Sequence, residues 1–159
     1  MKIKFKRGRT ALDADIRCFE IELGFGVSDS FKAFVAEFDG CEPETNIFKI
    51  SEDNDSGVNR FIPIKEIGKE RKNIENLPIW AYPVAWAEGG NYVYIDQGEN
   101  GAVFFWDHED PENVFKLAEN FESFLSVLKP FDASSIELKP RQVKSSWIDP
   151  DFLKSLGSD

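Results

Sequence analysis

Residues 80–109 read WAYPVAWAEGGNYVYIDQGENGAVFFWDHE, and this stretch restricts the fold more than any other part of the chain. Short β-branched and aromatic runs alternate with Gly- and Asn-rich breaks, the pattern of strands joined by tight turns. Residues 81–87 predict one strand, with Pro83 marking an edge position or an irregularity. Glu88-Gly89-Gly90 supplies a turn whose glycines admit positive φ. Residues 91–95 form the next strand, with Tyr92 and Tyr94 on one face and Val93 and Ile95 on the other. A turn containing Asn100-Gly101 precedes a third strand over residues 102–106. Consecutive strands with such short connections are met most economically by an antiparallel meander.

The flanking segments supply helices. Over residues 13–23, Ile16, Phe19 and Leu23 fall on one stripe, with Asp13 as N-cap and Gly24 and Gly26 as stops. Ser28 caps a second helix whose Phe31, Phe34, Val35 and Phe38 form an apolar face; Asp39-Gly40 ends it. Aromatics at that spacing are read as core. Residues 47–50 and 60–64 predict short strands. Between them lies SEDNDSG, residues 51–57. Counted as a calcium loop from Asp53, its Gly57 falls fifth rather than sixth, and Ile64 takes the place of the bidentate Glu, so an acidic hairpin loop is the reading. Residues 65–76 are charged and weakly periodic, a short exposed helix or a loop. After Pro111 a helical region is expected up to Leu128, with Asn120 capping a stripe of Phe121, Phe124, Leu125 and Leu128, and Pro130 stopping it. In the tail, Asp149-Pro150-Asp151 opens a short helix that ends at Gly157 and docks on the body.

The 159 residues are read as a single domain large enough for a real core. No apolar run is long enough to span a bilayer. The basic start, MKIKFKRGR, is not followed by an apolar signal region, so a cytoplasmic protein is expected. Ile3 and Phe5 alternate with its lysines, which predicts a short edge strand with one solvated face. Cys18 and Cys41 lack metal spacing and are read as small buried apolar side chains. Asp+Glu 29 against Lys+Arg 19 gives a formal charge of −10, which repels phosphate backbones and favours association with a basic partner.

The one histidine sits in Asp107-His108-Glu109-Asp110. In an extended chain Asp107 and Glu109 point one way and His108 the other. Zinc would need further His or Cys ligands, and no GxSxG or Cys-His signature supplies a nucleophile. The cluster is read as a polar strand end, and no cofactor or metal is expected.

Three segments, taken in order, carry a resemblance. Glu22-Leu23-Gly24 is followed by the helix that closes on Asp39-Gly40. Gly89-Gly90-Asn91 is followed by Tyr94-Ile95-Asp96. The run from Gly101 through Trp106-Asp107-His108-Glu109 is followed by Ala118-Glu119-Asn120-Phe121 and its helix. The chain resembles the SUKH superfamily, which includes the fungal cell-wall assembly regulator domain and bacterial Syd proteins. The resemblance spans residues 13–128, leaving 129–159 as a C-terminal extension. Val27-Ser28 replaces the common Leu-Pro, and Asp39-Gly40-Cys41 replaces Asn-Gly-Gly.

The resemblance implies an α+β fold, a mainly antiparallel twisted sheet with helices packed against it, and no catalysis. It also implies an immunity protein that binds a polymorphic toxin, often a nuclease. The expected partner is therefore a basic toxin domain, with no nucleic acid and no membrane. Candidate interface groups are Glu88, Asp96, Asp107 and Glu109, with Trp86 and Trp106 as aromatic anchors. The alternatives are a regulatory adaptor and a small hydrolase built on His108.

Overall fold

The computed structural model describes residues 3–131; the helix expected over 149–157 lies outside them. In chain order the elements are β1 (Phe5–Lys6), α1 (Asp13–Leu23), α2 (Asp29–Phe38), β2 (Glu42–Pro43), β3 (Ile47–Ser51), β4 (Asn54–Phe61), α3 (Ile64–Glu70), β5 (Ala81–Ala87), β6 (Asn91–Asp96), β7 (Ala102–Trp106), β8 (Val114–Ala118) and α4 (Phe121–Val127). The fold is α+β. Strands β3 to β8 form one six-stranded sheet in sequential order, each antiparallel to its neighbour. The sheet curls until its edge strands β3 and β8 approach one another. β1 and β2 form a separate two-stranded ladder. No described helix is long and apolar enough to cross a membrane.

The meander is assembled as its alternation predicts. Registers Tyr82↔Ile95↔Val103 and Ala85↔Val93↔Phe105 put these side chains on one face. Registers Trp86↔Tyr92↔Trp106 and Pro83↔Tyr94↔Phe104 put an aromatic set on the other. Pro83 lies in an interior strand, where the ladder slips between Pro83 and Ala85, so it marks an irregularity and not an edge.

Helices α2 and α4 cover the first face. Phe121 of α4 is fully buried, with ring centroids 5.4 Å from Phe31, 5.1 Å from Phe34 and 6.1 Å from Phe61. Phe124 meets Phe48, and Phe19 of α1 meets Tyr82 edge-on. Such edge-to-face pairs add about 0.5–1.5 kcal/mol each beyond area burial. Ser28 Oγ accepts from the Phe31 N–H, and Asn120 Oδ1 accepts from the Ser123 N–H at 2.8 Å, as N-caps do. Gly24 takes φ 82° to end α1, its N–H donating to the Glu20 carbonyl. Glu20 joins α1 to α2 by accepting from Lys32 at 2.8 Å and from the Val27 N–H, and the Lys32 bond holds its carboxyl below the usual range.

Several expectations are corrected. Residues 114–118 are strand β8, not helix, and helix begins only at Phe121. Strand β4 starts at Asn54, so most of the acidic segment is ladder and the turn itself is Glu52-Asp53; β4 also ends at Phe61, and Ile64 opens α3. Residues 65–76 belong partly to α3, whose Ile64 and Ile67 are buried, so this helix packs rather than floats. The α1 N-cap position is Leu12; Asp13 is inside the helix, and Asp15 reaches back to the Leu12 N–H. Cys18 is exposed on α1, while Cys41 is buried. Phe5 of β1 packs on Phe34 and Phe38 while Lys6 is solvated, in a strand only two residues long.

Candidate functional site

Three chain reversals from different parts of the sequence converge on one end of the sheet. Val58 pairs with Ala87, so the antiparallel β4 projects past the end of β5, with Gly57 beside Glu88 and Asp55 and the Glu52-Asp53 turn further out in the same direction. The approach is close: a Cβ built on Gly57 would lie 2.9 Å from Glu88 Oε1. Ala87 pairs with Asn91 across the Glu88–Gly90 turn. Tyr92 pairs with Trp106, which brings Asp107 next to that same turn and sends Glu109, Asp110 and Glu112 out in the β7–β8 connection. Carboxylates from all three reversals therefore share one end. Lys49 faces Asp55 across the hairpin as a local counter-charge.

The candidate residues separate on this geometry. Glu88 and Glu109 are exposed and Asp107 is half-buried. Asp107 Oδ1 accepts from the Glu109 N–H at 2.9 Å, fixing the turn. Asp96 is 6% exposed, and its Oδ1 accepts from the Gly98 N–H at 2.8 Å. It terminates β6 at the opposite end from Asn91, about 17 Å away at the rise of an antiparallel strand. Trp106 is 5% exposed, and its Nε1–H has no hydrogen-bond partner among the described residues. Trp86 is half-buried.

His108 is exposed and held from one side only. Asn91 Oδ1 accepts from the His108 backbone N–H at 3.0 Å and lies 2.8 Å from Nδ1. An amide oxygen only accepts, so this contact uses the Nδ1–H tautomer. Asp107 Oδ1 is 3.9 Å from Nδ1, too far for a hydrogen bond. Among the described residues no group of His, Cys, Asp or Glu side chains is placed to hold a metal ion. Burial pushes the Cys41 thiol up to about 12, away from thiolate chemistry.

Sequence reasoning missed Glu70. It ends α3, and its Oε2 accepts from Tyr92 Oη at 2.6 Å, from Trp86 Nε1 at 3.0 Å and from Asn73 Nδ2 at 3.4 Å. Burial alone would raise its carboxyl; the Tyr92, Trp86 and Asn73 bonds outweigh that, and the net direction is down. No local signal in KEIGKERKN singles it out, because two of its three partners, Trp86 and Tyr92, lie on β5 and β6.

A charged concavity also lies beside the start of α3. A cavity of about 200 Å³ is lined by Arg9, Asp15, Asp39, Arg60, Lys65 and Glu66 among others. Lys65 lies 3.6 Å from Asp15, Arg60 Nε donates to the Gly40 carbonyl, and Asp39 Oδ1 accepts from the Ile64 N–H. The Asp39 bond ties the end of α2, and the Lys65–Asp15 pair ties α1, to the start of α3.

Comparison with curated proteins finds no match. A family model, in contrast, covers most of the chain, from the approach to α1 to the end of α4, including every strand of the meander and the acidic end. The chain belongs to the SMI1/KNR4 family (SUKH-1), whose model matches residues 10–127.

Proposed function

We propose that this protein is a non-enzymatic immunity protein that neutralises a basic toxin domain by direct binding. Family membership supports an immunity or interaction domain in general terms. The observation that carries the finer reading is the convergence of three reversals, bearing Asp53, Asp55, Glu88, Asp107, Glu109 and Asp110, on one end of the sheet. A surface with such an excess of carboxylates draws in a cationic partner, raising association rates by about 10- to 1000-fold at low salt. Bound there, a folded domain of this size covers the basic cleft with which a nuclease grips its phosphate backbone. Neutralisation then follows from occlusion, and no bond is made or broken. His108, fixed by Asn91 and lacking a nucleophile or metal partner among the described residues, is part of the turn scaffold.

The experiment is co-expression with the C-terminal domain of any large secreted protein encoded beside this gene. The expected result is growth of toxin-expressing cells and a stoichiometric complex on gel filtration. Growth arrest despite soluble expression of both chains would refute the immunity reading. A neighbourhood without such a gene would favour a regulatory adaptor.

A further inference from the structure

Like Phe104, Trp86 is a half-buried aromatic of the outer sheet face, and it is the one of the two that lies beside the acidic turn. Its neighbours in register are Arg60 on β4 and Tyr92 on β6, and the acidic turn opens at Glu88, two residues further on. Its ring is held along its Nε1 edge, because Nε1 donates to Glu70 Oε2 at 3.0 Å and Tyr92 donates to the same oxygen at 2.6 Å. Tyr92 is in turn braced by Trp106, with ring centroids 5.8 Å apart. Among the described residues the cation over an aromatic face is Arg71 above Phe25, so the face of Trp86 carries none.

We propose that the Trp86 indole, held by Glu70, is a platform for a guanidinium or ammonium group of the partner, and that Glu70 is the residue that positions it. The proposal rests on the acidic end being the partner surface. Indole has the strongest cation-attracting face of the aromatic side chains. Donation of its N–H to a carboxylate polarises the ring and makes that face more negative. Orientation before binding removes the ordering cost that a free tryptophan would bear on association. The carboxylates around the reversals supply long-range attraction, and Trp86 supplies a specific seat for one side chain.

A hexa-arginine peptide serves as the probe, titrated by calorimetry and by the indole N–H resonances, with Trp86→Phe identifying the Trp86 signal. In the unchanged protein the Trp86 resonance shifts on titration. Trp86→Phe and Glu70→Ala each weaken binding about fivefold, the value of a partly exposed cation–π contact. Glu70→Gln keeps an acceptor for Nε1 and recovers most of that loss. Glu37→Gln, which removes the same charge from an exposed position on α2, costs less than Glu70→Ala. Urea midpoints of each variant confirm folding; Trp86→Phe, with Glu70 and Tyr92 intact, decides the matter should Glu70→Ala unfold. Two results overturn the proposal. One is Trp86→Phe binding as tightly as the unchanged protein while a Glu88→Gln/Asp107→Asn/Glu109→Gln variant loses the peptide; the acidic surface then stands without its platform. The other is equal losses from Glu70→Ala and Glu37→Gln. Unchanged affinity in the triple variant removes the acidic-end reading itself.

Discussion

Replacing Phe121 by Ala tests whether α4 and the sheet share one core. Phe121 is 0% exposed and lies between Phe31 and Phe34 of α2, Phe61 of β4 and Phe124 of its own helix, at centroid distances from 5.1 to 6.4 Å. Truncation removes a buried ring and leaves a cavity bounded by other rings, which are too large to collapse into it. A Phe→Ala change of this kind costs about 3–5 kcal/mol. Set against a total stability of about 5–15 kcal/mol, that is about a fifth or more of what holds the chain folded. Urea unfolding at constant temperature reads it as a fall in midpoint with little change in slope. Phe115→Ala is the control: Phe115 is 39% exposed on β8, and its loss is expected to cost less than about 1 kcal/mol. Equal costs at the two positions, or a Phe121→Ala cost below about 1 kcal/mol, would show that α4 does not pack as described.

Two further outcomes follow. Burial raises the Asp39 carboxyl above its ordinary 3.8, although its bond from the Ile64 N–H pulls the other way. The stability this group contributes is therefore greatest below that ordinary value and falls as pH rises through the raised one. Asp39→Asn keeps an acceptor and removes the buried charge, so its stability relative to the unchanged protein rises with pH across that window, whereas Asp39→Ala loses the bond at about 1 kcal/mol; urea midpoints from about pH 3 to pH 7 check both. His108→Ala, at an exposed position, is expected to change stability by less than about 0.5 kcal/mol, and elemental analysis of the purified protein is expected to find no stoichiometric metal. Stoichiometric metal lost in that variant would restore an enzyme reading.

Where the chemistry is local, the sequence was readable. Ser28 and Asn120 bond within three residues, the α2 stripe is set by helical period, and the Tyr92/Val93 alternation is set by strand period. Strand β8 was hidden because its first three residues are exposed and it has no buried alternation, so its apolar residues blended into the helix beyond. The acidic start of β4 looked like a loop because it projects past the end of β5, where little packs on it. At the site, Glu88, Asp107 and Glu109 were legible as charges at turns. Their grouping with Asp53 and Asp55 depends on register, and the part played by Glu70 depends on contacts to Trp86 and Tyr92, 16 and 22 residues away. Asp96 resembled the other acidic turn residues until its burial and its place at the far end of β6 set it apart.

We propose that the acidic end of the sheet captures a basic protein partner. The association rate with a toxin domain encoded beside the gene tests this, measured by stopped flow from about 0.01 M to about 0.5 M salt, for the unchanged chain and for the Glu88→Gln/Asp107→Asn/Glu109→Gln variant. The expected rate falls steeply with salt in the unchanged protein, and the variant shows a slower, flatter profile that meets the first at high salt. A flat profile in the unchanged protein, or superimposable profiles for the two, would contradict it.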